Sequence, residues 1–208
     1  MDLRWELPLS ADGIETQLGD GTPVRIRPIR AVDGPELDAA FARMSPRSRY
    51  LRFFTLRDEL GATMLDAFTN IDHRNHKAWV VVDPAARSDT GSDEGLGIAV
   101  ARLICLPDTP GVAEATLAVT DDYQRRGAGR LLLDLLVSTA VIAGVEKVRF
   151  ETLWENRGMR RLLNDLGAES NSALSDGGVL VYDVPIDEDG DATVGAVYDI
   201  LRWIAQSS

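Results

Sequence analysis

The chain has 208 residues, 45% hydrophobic and 26% charged, which suits one well-buried core and excludes global disorder. Its net charge of −11 excludes a general nucleic-acid-binding surface, which depends on Lys and Arg to neutralise phosphate. A single cysteine, Cys105, leaves no intramolecular disulfide and no cysteine-based zinc site, and the most apolar run, Leu131 to Gly144, is 14 residues long with Asp134 inside it, too short to span a bilayer.

With no signal-peptide core in the first residues, these features predict a cytoplasmic protein that binds neither membrane nor nucleic acid. Residues 1–20 read as an N-terminal arm, 21–186 as the functional domain, and 187–208 as an acidic turn and an amphipathic helix able to mediate a homodimer. The alternation in Thr22 to Ile29 predicts a strand, and Asp33 or Gly34 opens a helix to about Met44. Ser45-Pro46 starts a short helix with a good N-cap and a proline at N1, carrying Arg49, Tyr50, Arg52, Phe53 and Phe54. A further helix is expected over about 60–69.

Lys77 to Asp83, Gly97 to Leu106 and Val112 to Thr120 read as three antiparallel strands, the first two joined by a polar surface loop over 85–95 on which function is not expected to depend. Gly127 to Ala143 is a helix apolar on nearly every side, ended by Gly144 and predicted to be buried against the sheet. The alternating stretch around Val148 to Thr152 returns as a strand parallel to the one before that helix. Asn156 then caps a helix whose Met159, Leu162, Leu163 and Leu166 share one face, Gly167 ends it, and a last strand covers about 179–184.

Between the third strand and the apolar helix lies Gln124-Arg125-Arg126-Gly127-Ala128-Gly129-Arg130. Glycines around a small alanine let the backbone approach a ligand closely, and the N-terminus of the following helix offers unpaired N–H groups. Three arginines in an acidic chain suit a pyrophosphate. A dinucleotide fold would need a third glycine where Leu132 stands, and no Lys-Ser or Lys-Thr completes a P-loop.

The element order, with Gln-x-x-Gly-x-Gly and the Asn-capped helix closed by Gly167, closely resembles the GNAT superfamily of acyl-CoA-dependent N-acyltransferases over roughly residues 22–186. The resemblance implies an α+β fold with a mostly antiparallel central sheet, one parallel pair splayed around the acyl-CoA site, and flanking helices. It implies acetyl-CoA as acyl donor, with its pyrophosphate on the amides of 125–130, its pantetheine arm along Leu117, Ala118 and Val119, and Asn156 close by. Gln124 is expected to orient the loop. Within the superfamily, Ser45 to Phe54 and Ile71-Asp72-His73 most resemble bacterial protein-lysine acetyltransferases, which implies a protein lysine as acceptor and Glu114 as general base.

The residues allow that chemistry. A free lysine is protonated at pH 7, so attack on a thioester needs a base, and Glu114 is the only acid on the third strand. It lies about 17 Å from Val119 at strand rise, comparable with the reach of a pantetheine arm. A solvated strand glutamate is the alternative reading. Leu163 occupies the place where many relatives carry a tyrosine acid, so no general acid is assigned; a small-molecule amine acetyltransferase and a non-catalytic acyl-CoA-binding regulatory module stay open. Cys105 reads as inert core rather than an acyl-enzyme nucleophile, and Asp72, His73 and His76 as a polar loop rather than a metal site. Arg47, Arg49, Arg52 and Arg57 form a basic stripe that either guides an acidic segment or is a solvated helix face.

Overall fold

A computed structural model of the protein describes residues 13–186. Residues 1–12 and the acidic turn and amphipathic helix expected over 187–208 lie outside the described residues. In chain order the elements are β1 (Ile14–Gln17), β2 (Pro23–Pro28), α1 (Gly34–Arg43), α2 (Pro46–Phe53), α3 (Ala62–Thr69), β3 (His76–Asp83), β4 (Leu96–Cys105), β5 (Val112–Val119), α4 (Ala128–Ile142), β6 (Lys147–Leu153), α5 (Arg157–Asp165), β7 (Glu169–Ser170) and β8 (Val179–Pro185). The strands form one sheet in the order β1-β2-β3-β4-β5-β6-β8-β7. All neighbours are antiparallel except β5 and β6.

The α4 crossover explains that one parallel pair. Two strands joined through a helix that packs back on the sheet run in the same direction. Leu132, Leu133, Leu135 and Leu136 of α4 are fully buried, and they form the main core with Ala113 and Ala115 of β5 and Leu163 of α5. On the opposite face of the sheet, α1 and α3 enclose a smaller core of Phe41, Met44 and Leu60, with Ala118 packed against it. Period-two alternation therefore divides β5 cleanly. Ala113, Ala115, Leu117 and Val119 face α4, whereas Glu114, Thr116 and Ala118 face α1 to α3.

Part of the expected arm is sheet: residues 14–17 form edge strand β1, in register with residues 23–26 of β2. The 85–95 loop is stitched down more firmly than a free surface excursion. Glu94 accepts from Arg27 at 2.7 Å and Arg30 at 2.8 Å, and Ser88 and Thr90 each donate to Glu36 at 2.7 Å. Arg27 in turn grips Asp33 through both guanidinium nitrogens, at 2.7 and 2.8 Å, which fixes the start of α1 against β2.

Candidate active site

The parallel pairing of β5 with β6 is short. It runs only from Val112/Lys147 to Ala115/Phe150, after which the strands part while β5 stays paired to β4 as far as Val119. Thr120 N–H donates to Ile98 O at 2.9 Å, and in an antiparallel ladder such pairs alternate. Ala118 and Thr116 thus direct their main-chain groups to β4, and Leu117 and Val119 direct theirs into the gap. The gap opens as a cleft of about 670 Å³ lined by β5, β6, α2, the 124–130 loop and the first turns of α4 and α5.

One end of the cleft is the N-terminus of α4. Its first-turn N–H groups have no intrahelical acceptors, and no side chain caps them. The chain reaches this point through two left-handed residues, Arg125 at φ 61° and Gly127 at φ 98°. A Cβ on Gly127 would fall 2.4 Å from the Gly19 nitrogen, so the glycine is required by packing as well as by φ. Gly129 serves a different purpose: a Cβ there would meet Leu162 Cδ1 at 3.0 Å, so the small residue lets α5 approach α4.

The three arginines of the loop part company. Arg125 and Arg130 line the cleft. Arg126 turns to the β1–β2 connection, bonding Asp20 at 2.6 Å and Thr22 at 2.5 Å and lying over the Tyr123 ring. Only its backbone amide remains for an anion. Gln124 orients the loop, its Nε2 donating to Val119 O and Ser48 Oγ, each at 3.1 Å. Asn156 lines the cleft while its Oδ1 caps α5 by accepting from Met159 N–H at 3.1 Å.

At the far end stands Glu114, in register with Arg149 of β6. Burial, and then the nearby Glu151 carboxylate, push the Glu114 carboxyl up from its ordinary value, while Arg149 pulls the other way. Arg149 is itself held by Asp183 at 2.9 Å. Leu163 is completely buried in the main core, and the cleft wall on α5 is formed instead by Met159, Arg161 and Leu162.

Two features of the cleft had no sequence signal. Thr152 lines it, is 1% exposed, and has a buried hydroxyl with no partner among the described residues. Asp121 ties α2 to the start of the 124–130 loop, accepting from Ser45 N–H at 2.8 Å, Ser45 Oγ at 2.7 Å and Ser48 Oγ at 3.0 Å. Asp121→Ala leaves these donors unpaired, and we expect a loss of about 1–3 kcal/mol in urea unfolding with weaker donor binding.

The basic stripe on α2 also separates into distinct roles. Arg49 donates to the carbonyls of Phe41, Ala42, Met44 and Asp58, closing the C-terminus of α1. Arg52 points to the sheet and donates to Thr116 Oγ1 at 3.0 Å. Asp72 organises a turn by accepting from the N–H groups of Arg74, Asn75 and His76. Burial pushes the Cys105 thiol up, away from the thiolate that a nucleophile requires.

Residues 24–169 match the family model described as an acetyltransferase (GNAT) domain. Acetyltransferase Pat of Mycolicibacterium smegmatis is 29% identical over 161 residues, 74% of this chain and 44% of that protein. The chain thus spans less than half the length of that relative. Acetyltransferase PA5475 of Pseudomonas aeruginosa is 30% identical over 150 residues, 72% of this chain and 77% of that protein. Among solved structures, the GNAT domain of S. lividans PAT is similar with a TM-score of 0.72 at 24% identity, covering 83% of this chain and 96% of that one. Spermidine N-acetyltransferase from Vibrio cholerae, in complex with CoA and spermine, gives 0.61 at 15% identity over 78% and 95%.

Proposed function

Since the chain belongs to the GNAT acetyltransferase family, whose members use acetyl-CoA as donor, we propose that it transfers acetyl from acetyl-CoA to a primary amine, favouring a protein lysine, by direct attack in a ternary complex. The observation that carries this reading is the gap between β5 and β6. It exposes the main-chain groups of Leu117 and Val119 along a path from the α4 N-terminus to Glu114. The cleft suits such a donor: helix N–H groups with Arg125 and Arg130 for a pyrophosphate, strand groups for the amides of a pantetheine arm, and the orphaned Thr152 hydroxyl. Asn156 is assigned to the same wall.

Each residue then has one task. Leu117 N–H donates to the thioester carbonyl and stabilises the negative charge that develops there. Glu114, directly or through a water, accepts the proton of the ammonium, so that a neutral amine attacks. The new C–N bond forms as the C–S bond breaks, the electron pair goes to sulfur, the nitrogen sheds its second proton to solvent, and the thiolate takes a proton from solvent. The preference for a protein lysine rests on the resemblance of Ser45 to Phe54 and Ile71-Asp72-His73 to bacterial protein-lysine acetyltransferases, and fold alone does not fix substrate. The 21–186 domain contains every residue assigned to this chemistry.

Thiol release from acetyl-CoA in the presence of lysine peptides and of polyamines tests the proposal. Release with peptides gives the lysine reading; release with polyamines alone gives the small-molecule one. Tight binding of acetyl-CoA without release with any amine gives the regulatory module, for which the apolar Leu163 position is the favouring observation.

The raised Glu114 carboxyl adds a pH dependence. A base works when deprotonated, so kcat/KM rises with pH through the Glu114 pKa, and the midpoint of that limb should lie above the usual glutamate value of about 4.3. Glu151→Gln removes a repelling carboxylate and should move the limb to lower pH. A limb unmoved by that substitution removes Glu151 as a cause.

A further inference from the structure

Arg102 on β4 is 3% exposed and lies beside Thr116, its register partner on β5. Its guanidinium covers the Phe68 ring, 4.4 Å from the centroid, and its Nη1 is 3.1 Å from His76 Nε2. Its Nη2 is buried with no partner among the described residues. Arg52 reaches the same Thr116 from α2 and lies 4.9 Å from the Phe53 centroid. No carboxylate among the described residues pairs with either. His76, neutral or cationic, cannot be a countercharge; burial and Arg102 push it down to about 4, so at pH 7 it adds no further positive charge.

Two neighbouring guanidiniums without an anion are costly, and in a chain with 33 acidic and 22 basic residues the shortage is local. Burial pushes both down to about 10, with Arg52 repelling Arg102, and both stay charged at pH 7. They border a cavity of about 70 Å³ between the sheet and α1 to α3. Met44, Arg52, Phe53 and Ala118 line both that cavity and the main cleft. The cavity therefore abuts the cleft beside Leu117, the residue assigned to the thioester carbonyl.

We propose that Arg52 and Arg102 form a carboxylate-binding subsite at the acyl end of the cleft. The inference rests on the acyl-CoA reading above and deepens it. The carboxylate belongs either to a dicarboxylic acyl donor of the succinyl class or to an acceptor that carries an acid beside its amine. With such a donor the transfer is unchanged: the C–N bond forms, the C–S bond breaks, sulfur takes the electron pair, Glu114 takes the amine proton, and the distal carboxylate stays intact between the arginines.

The test compares wild type, Arg102→Met and Arg52→Met by titration calorimetry. Acetyl-CoA affinity of the wild type comes first. No binding of any acyl-CoA overturns the underlying reading and the subsite together; binding without a carboxylate preference overturns the subsite alone. One arm compares succinyl-CoA with butyryl-CoA, which differ in a terminal carboxylate and methyl. The other compares lysine peptides with Asp or Asn beside the lysine, in the presence of CoA. A preference of at least about tenfold for the carboxylate in either arm, lost in Arg102→Met, supports the subsite, and the arm identifies its source. A preference that survives both substitutions overturns it. Thermal melting guards against misfolding: replacing an unpaired buried charge by methionine should hold or raise Tm, whereas a fall would mark Arg102 as structural.

Discussion

Glu114→Gln should lower turnover about 10²- to 10⁴-fold and leave acetyl-CoA affinity nearly unchanged. Glutamine keeps the size and polarity of the side chain but cannot accept the amine proton. Glu114 stands at the end of the cleft remote from the α4 N-terminus, so the contacts assigned to the pyrophosphate are untouched. The loss should be largest at neutral pH, where a lysine acceptor is almost wholly protonated, and smaller at high pH, where free amine becomes available without a base. Steady-state thiol release from pH 6 to 10, with donor affinity measured in parallel, checks both parts. Full turnover in the variant would remove Glu114 as the base and leave it a solvated strand residue.

Gly127→Val should destabilise the protein by roughly 2–4 kcal/mol and abolish measurable donor binding. Two costs combine. The φ of 98° is one that side chains rarely adopt, and the new Cβ would fall 2.4 Å from the Gly19 nitrogen and 2.8 Å from its Cα, backbone atoms with little room to yield. Relief requires the β1–β2 connection or the loop to move, and the loop leads directly into the α4 N–H groups. Gly129→Ala is the informative contrast. Its Cβ meets only the flexible end of Leu162 at 3.0 Å, and alanine favours a helix, so stability should change by less than about 1 kcal/mol. Chemical denaturation and donor titration of the two variants separate the loop's folding role from its binding role.

The elements that carry the cleft were legible because their periods are long and clean. The i, i+3, i+4, i+7 face of α5, its Asn156 cap and the apolar α4 between β5 and β6 dictate helix, crossover and parallel return. Strand β1 was not, since four residues of Ile-Glu-Thr-Gln give too little alternation to distinguish an edge strand from an arm. β7, with two residues, gave less still.

At the site, residue types were readable and directions were not. The sequence offers three equivalent arginines in the loop, but the left-handed Arg125 and Gly127 rotate the chain so that Arg126 meets Asp20 while Arg125 and Arg130 line the cleft. Arg52 reads as one of four charges in a basic stripe, and nothing local in the sequence singles out Arg102. Their meeting at Thr116 depends on the docking of α2 over the sheet, held by Asp121, which no local pattern encodes. Thr152 carries no functional signal in the sequence, because a strand threonine is ordinary until its partner strand veers away.

The central claim is that the gap between β5 and β6 is the donor channel and that Glu114 faces its reacting end. A crystal structure of the acetyl-CoA complex tests this most directly. The account predicts the diphosphate on the N–H groups of residues 125–130, the thioester oxygen within about 3 Å of Leu117 N–H, and the Glu114 carboxylate open to an amine approaching the thioester carbon. Acetyl-CoA bound outside the gap, or a thioester with Glu114 out of reach even through one water, would contradict it.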